Sequence, residues 1–296
     1  MNDFTFLIIL SALSLGVYDL FRKHAVRGNA VHETLFFSCL AGAVFFVIAS
    51  GISGRLGGAL DVTPRVLALL FAKSALVGAS WMCVYAAMRE IPVSTAAPIR
   101  STAPLWTALG GILLYGELPG AWRALGMAVI LAGYFMLAAI GNGEGFSFKH
   151  KAMRLLIAGT LLGSASALYD KHLLNSLRIP PETTQFWFMT FLAMIYGALT
   201  IAKRLRASAR VAGHAFIWRW SIPATGILLT IADALYFHAM SLPDAPISVA
   251  SVMRRTGCVV TVIGGAVLFK EKGFVKKIAA VATILAGAAI TALAGK

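Results

Sequence analysis

The 296-residue chain is 59% hydrophobic and only 13% charged, yet its formal net charge is +14. Soluble domains run at about 45–50% apolar and about 25% charged residues, so a water-soluble globular fold is excluded and an apolar solvent is required. The basic residues lie largely in short segments between apolar runs, as in Lys203-Arg204-Leu205-Arg206. That pattern fits anionic lipid headgroups as a partner and excludes nucleic acid.

A helix needs about 20 apolar residues to cross the hydrocarbon core. Ten segments qualify in chain order: Phe4–Phe21, Leu35–Ile52, Val66–Met88, Thr95–Tyr115, Trp122–Ile140, Leu155–Leu174, Thr183–Ile201, Ile222–Met240, Ile247–Phe269 and Val275–Leu293. Their unbroken apolar character lacks the alternation of a membrane barrel. The first run has no basic flank and no small-residue cleavage site, so it reads as a span and not as a signal peptide. Connections are short and carry turn residues, as in Arg89-Glu90-Ile91-Pro92 and Gly116-Glu117-Leu118-Pro119-Gly120. The stretch Gly141-Asn142-Gly143-Glu144-Gly145 divides the chain near its midpoint. Cys39, Cys83 and Cys258 each sit in an apolar run without metal spacing and read as buried free thiols. Trp122, Trp187, Trp218 and Trp220 read as interface anchors.

An internal repeat organises these segments. Shifted by 154 residues, Arg100–Gly133 lies over Arg254–Gly287 without a gap, with 12 of 34 pairs identical, among them Arg100/Arg254, Thr102/Thr256, Glu117/Glu271 and Ile130–Gly133 over Ile284–Gly287. Earlier spans match with small gaps: Lys23-His24 falls on Lys171-His172. Five spans per half force the second copy to enter the membrane from the other side. The expected fold is therefore an all-α membrane protein of ten transmembrane helices in two inverted five-helix repeats, 1–145 and 146–296, around a central cavity. That architecture suits alternating access at a site near the midplane. Gly110-Gly111, Gly264-Gly265, Ala128/Ala132 and Ala282/Ala286 are expected at close helix contacts. Pro98 and Pro104 are expected to kink or break the fourth span.

Charge inside a span costs about 2.5–3.5 kcal/mol per residue at its centre, so such residues are candidates for function. They are Asp19, Lys73, Arg100, Asp170, Asp233, Arg254 and Arg255, with Lys23 and Lys171 at span ends. Arg100, Arg254 and Arg255 are candidate substrate-binding residues, because a guanidinium grips carboxylate or phosphate in a bidentate fork; an internal ion pair with Asp233 or Asp170 is the alternative. Asp233 is a candidate for coupling a proton or orienting an arginine, and His238 could titrate near neutral pH. Asp19 and Lys23 are four apart on a helix and can pair. The recurrence of Tyr18-Asp19…Lys23 as Tyr169-Asp170-Lys171 points to a gate or substrate path. Trp81, Tyr85, Tyr236 and Phe237 are candidates to line the cavity. No nucleotide-binding or metal motif occurs, so neither ATP-driven pumping nor any cofactor or metal is expected.

The residues Ile91-Pro92-Val93-Ser94…Ile99-Arg100-Ser101-Thr102-Ala103-Pro104-Leu105-Trp106…Gly116-Glu117…Gly126…Gly133, with Phe269-Lys270-Glu271…Gly287 in the second half, resemble the EamA-like ten-span members of the drug/metabolite transporter superfamily. The resemblance implies a ten-helix inverted repeat and secondary transport in a bacterial inner membrane, often export of amino acids or related metabolites. The Arg254-Arg255 pair resembles the basic residues of the related phosphate-ester exchangers and sets this chain apart from most EamA members. The chain is thus expected to be no enzyme but an exporter of a small polar solute bearing a carboxylate or phosphate, driven by protons or by exchange. The alternatives are export of cationic or neutral compounds, or a lipid-headgroup flippase. Of 26 basic residues, 16 lie in the odd-numbered connections and six on the other side. Basic loops mark the cytoplasm, which puts both termini outside, whereas the resemblance implies both inside.

Overall fold

The computed structural model describes residues 3–87, 99–100, 102–139, 151–206, 215–269 and 274–294. The turn at 89–92, Pro98, the 141–145 stretch, the 207–214 loop, Lys270 and Glu271 lie outside them. The described residues form helices α1 (Asp3–Val26), α2 (Val31–Ile52), α3 (Leu56–Leu60), α4 (Pro64–Ala87), α5 (Ala103–Tyr115), α6 (Ala121–Ala139), α7 (Lys151–Lys171), α8 (Pro181–Arg206), α9 (Ser221–Ser241), α10 (Ile247–Met253), α11 (Cys258–Phe269) and α12 (Phe274–Leu293), and no strand. A π-turn (His172–Ser176) follows α7, and a 3-10 turn (Arg254–Gly257) joins α10 to α11. Seven helical stretches are long and apolar enough to cross a membrane, and three shorter apolar helices, α5, α6 and α12, accompany them. At about 1.5 Å per residue, the 24 residues of α1 reach about 36 Å, enough for a hydrocarbon core of about 30 Å.

The burial pattern inverts that of a soluble domain. Ile52 is 85% exposed and Leu113 72%, whereas Lys73 is 2% exposed and Asp170 6%. Apolar side chains face outward where lipid would be, and charge is gathered inside.

Side-chain bonds between helices fix their directions. Ser11 on α1 donates to the Ala232 carbonyl on α9 (2.7 Å), and His24 meets Ser221 (2.8 Å), so these helices are antiparallel. Ser80 on α4 donates to the Gly159 carbonyl on α7 (2.7 Å), and Lys73 pairs with Asp170, so α4 and α7 are antiparallel too. Serines back-bonded to a neighbouring helix satisfy polar groups that hydrocarbon would leave orphaned. α2 lies antiparallel to α8, with Phe46 against Phe186 and Gly197 against Phe36. α2 runs parallel to α9, because Ser38 donates to the Ile222 carbonyl and Gly42 meets Gly226 and Thr230. α4 runs parallel to α8 through Ser74–Phe188 and Gly78–Tyr196. Thus α1 and α4 point one way, and α7 and α9 the other. One face of the molecule carries the C-termini of α1 and α4 and the start of α7; the opposite face carries the ends of α5, α7 and α9.

Two expected spans are not continuous helices. The fourth breaks at Thr102, after which α5 begins with Pro104 in its first turn. There the missing N–H is harmless, so this proline starts a helix instead of kinking one. The ninth breaks at the 3-10 turn, where backbones crowd: a Cβ on Gly16 would stand 2.4 Å from the Gly257 carbonyl oxygen. The small-residue contacts also fall elsewhere than expected in α6 and α12. Ala128, Ala132, Ala282 and Ala286 face outward, and the close approach runs through Gly126, Ile130 and Gly133 against Gly287 and Ile284. Positions 126, 130 and 133 share a helix face; 128 and 132 lie two residues off it, about 200° round. Gly110 and Gly264 do pack closely, against Leu168 and Leu20.

Candidate functional site

A cavity of about 910 Å³ occupies the centre of the helix assembly. Of the residues singled out from sequence, Arg100, Arg254, Arg255, Trp81, Tyr85, Tyr236, Phe237, Asp233, Asp19, Lys23 and Asp170 line it. Lys171 and His238 do not. His238 instead contacts the Ala234 carbonyl (2.8 Å) and lies 3.4 Å from Glu182.

Seven basic side chains line the cavity, Arg22, Lys23, Arg27, Lys73, Arg100, Arg254 and Arg255, against three acids, Asp19, Asp170 and Asp233. Each acid is engaged by a base. Asp19 pairs with Arg22 (2.8 Å, three residues on), where the helical spacing had suggested Lys23. Asp170 pairs with Lys73, whose ammonium also stands 4.4 Å from the Phe188 ring centre and 5.0 Å from that of Phe237. A counter-ion and two ring faces thus surround this buried side chain. Asp233 pairs with Arg254 (2.8 Å), whose guanidinium lies 4.1 Å over the Tyr236 ring. Tyr236 also packs against Phe237 (ring centres 5.6 Å apart), whose ring faces Lys73, so the two central pairs share one aromatic wall. The Arg254 Nε is buried without a hydrogen-bond partner. Among the described residues no carboxylate pairs with Arg100 or Arg255. The cavity floor therefore holds neutralised pairs, and the excess charge is positive.

Both helix breaks lie at this charge. Thr102 donates to the Ile99 carbonyl (2.7 Å) and Thr256 to the Met253 carbonyl (2.8 Å). These positions are 154 residues apart in each case, and each threonine stands two residues after an arginine, Arg100 or Arg254. A threonine back-bond offers the carbonyl a partner other than the helix. Breaks of this kind are tolerated at membrane depth where they line a cavity. Trp81 stacks on Tyr196 (ring centres 6.2 Å apart) and forms part of the wall.

A second charged assembly lies at the opposite face. Gly116 (φ 64°) ends α5 in the left-handed conformation, with Glu117 N bonded back to the Gly111 carbonyl; this turn suits glycine. It aims the Glu117 carboxylate at Lys171 Nζ (2.5 Å) and at the backbone N–H groups of Ile247 (2.7 Å) and Ser248 (2.8 Å). Lys171 also donates to the Ala245 carbonyl (3.0 Å). Burial alone would push the Glu117 carboxyl up, but the bonds from Lys171, Ser248 and Ile247 outweigh it and hold it below the usual carboxylate range. Sequence reading placed Glu117 in a turn without assigning it to a site; its repeat mate Glu271 was the available signal.

Residues 4–139 match the model of the EamA-like transporter family. A Lactobacillus johnsonii protein named "Putative sugar uptake protein" is 24% identical, over 97% of this chain and 98% of its own length. A solved crystal structure superposes with a TM-score of 0.78 at 17% identity, covering 99% of both chains, so the whole-chain fold is one already observed. Apolar helices enclosing a charged cavity, together with a first half that matches the EamA-like transporter family, indicate a transmembrane transporter and not an enzyme.

Proposed function

We propose that the protein carries a small anionic metabolite by alternating access between two inverted halves, 1–145 and 146–296. The observation that carries the anion assignment is the excess of basic over acidic side chains in the cavity, with Arg100 and Arg255 lacking a carboxylate partner among the described residues. An unneutralised guanidinium in a low-dielectric interior is costly, and a bound carboxylate or phosphate relieves that cost. Arg254, held by Asp233, orients the pocket, and Tyr236, Phe237, Trp81 and Tyr85 shape it. The inverted arrangement is supported by the opposed directions of α1 and α7 and by contacts that recur under the repeat, Gly110 on Leu168 and Gly264 on Leu20 among them. A cavity with positive excess crosses the membrane more easily loaded than empty, which favours exchange of one anion for another. The basic face into which the cavity extends, carrying Arg22, Lys23 and Arg27 at the end of α1, is the cytoplasmic one by loop charge, in a bacterial plasma membrane.

Counterflow in proteoliposomes tests this reading. Arg255→Ala and Arg100→Ala are each expected to lower exchange of a carboxylate or phosphate solute at least about tenfold with the fold intact. Full exchange in both variants contradicts the anion site. The name of the Lactobacillus relative favours a second reading, uptake of a neutral sugar gripped by the cavity's aromatic rings and acids. Under that reading a neutral sugar exchanges and its sugar acid does not.

A further inference from the structure

Asp170 and Lys171 are adjacent at the end of α7, yet they serve different places. Asp170 turns into the cavity and pairs with Lys73, while Lys171 turns away to Glu117 and the Ala245 carbonyl. Glu117 in turn holds the backbone of Ile247 and Ser248, where α10 begins. One peptide unit thus joins the cavity floor to a four-point clasp of the α5–α6 turn, the end of α7 and the start of the ninth span. All its parts sit on the face opposite the C-terminus of α1. Immediately after Lys171 the helix continues as a π-turn, with Leu177 N bonded to the His172 carbonyl; such turns mark places where a helix departs from its regular ladder.

Resting on the alternating-access reading, we propose that the Glu117–Lys171 clasp is the closed gate of this face, and that the Asp170–Lys73 pair couples it to the occupancy of the cavity. An anion arriving at the floor competes with Asp170 for Lys73. Displacing Asp170 moves the end of α7, and with it Lys171, away from Glu117. Releasing the clasp frees the start of α10 and the α5–α6 turn together, which opens this face. The pair is buried on both sides, 9% and 8% exposed, so removing one partner strands the other and biases the molecule toward the open arrangement.

Thiol accessibility reads the gate without knowledge of the solute. The full-length chain carrying Cys39→Ala, Cys83→Ala and Cys258→Ala receives one reporter in the cavity wall, Ser251→Cys. A membrane-impermeant maleimide is then applied to right-side-out and to inverted vesicles. From the clasp face, labelling is expected to be slow in the parent and at least about tenfold faster in Glu117→Gln. Lys171→Gln, which leaves Glu117 to hold α10, is the second variant should Glu117→Gln fail to fold, and the same increase is expected. Slow but measurable parent labelling from that face, unchanged in both variants, overturns the gate and leaves alternating access standing. No labelling from that face over hours in any variant, with normal labelling from the other, overturns both.

Discussion

The two helix breaks are built alike and charged differently. Each has an arginine two residues before a threonine that bonds back to a carbonyl, Arg100 with Thr102 and Arg254 with Thr256. Arg254 has Asp233 beside it. At the position of the first half that matches Asp233, offset by 152 residues, stands Trp81, and Arg100 keeps no carboxylate partner among the described residues. The shared backbone device therefore carries two kinds of arginine, one neutralised and one without a carboxylate among the described residues, and the proposed anion site rests on the second.

Breaking the neutralised side has the largest expected effect. Arg254→Ala leaves Asp233 buried and alone, at a cost of about 3 kcal/mol, read as a clear fall in melting temperature in detergent. Arg100→Ala removes no ion pair among the described residues and relieves an unneutralised charge, so melting is expected to stay level or rise while anion exchange collapses. Equal destabilisation by both would erase the distinction. Next in size is Gly226→Ala, whose Cβ would stand 1.9 Å from the Ser38 carbonyl oxygen; forcing α2 from α9 costs about 1–3 kcal/mol, measurable as lost yield and melting temperature. Thr102→Val and Thr256→Val each delete one back-bond, worth about 1 kcal/mol, and Thr102→Val also removes the acceptor of Trp106 Nε1 (3.1 Å) and is expected to cost slightly more; no cost in either argues against a common device.

The smallest predicted effect concerns pH. The Glu117 carboxyl is held below the usual range, so the stability it contributes is complete above the ordinary glutamate value of about 4.3 and is lost as pH falls through the lower folded value. The reporter's thiolate fraction falls with pH in both chains alike, so the parent is compared with Glu117→Gln at each pH; its relative labelling from the clasp face is expected to rise toward that of the variant as pH falls below the ordinary glutamate value.

Much of this was legible before any coordinates. Apolar length marked the helices, and the rule that intramembrane charge gathers inward placed Arg100, Asp233, Arg254 and Arg255 around one hollow. The Arg254–Asp233 pair is the alternative that the sequence offered for that arginine; the other pair was not legible, because Lys73 and Asp170 are 97 residues apart and only packing brings them together. Nor was the ninth-span break: its sequence Arg254-Arg255-Thr256-Gly257 is no strong breaker, and the 3-10 turn sits where Gly16 and Gly257 crowd two backbones. The outward face of Ala128 and Ala132 was misjudged because small size alone does not say which face of a helix meets its neighbour; the phase set by Gly126 and Gly133 does.

The central claim is that the open arginines receive an anion. Counterflow of a sugar acid against its neutral parent sugar, in liposomes holding the wild-type chain or Arg100→Ala/Arg255→Ala, tests it most directly. Exchange of the acid alone, abolished in the double variant, is the predicted result; exchange of the neutral sugar, undiminished by both substitutions, would contradict it.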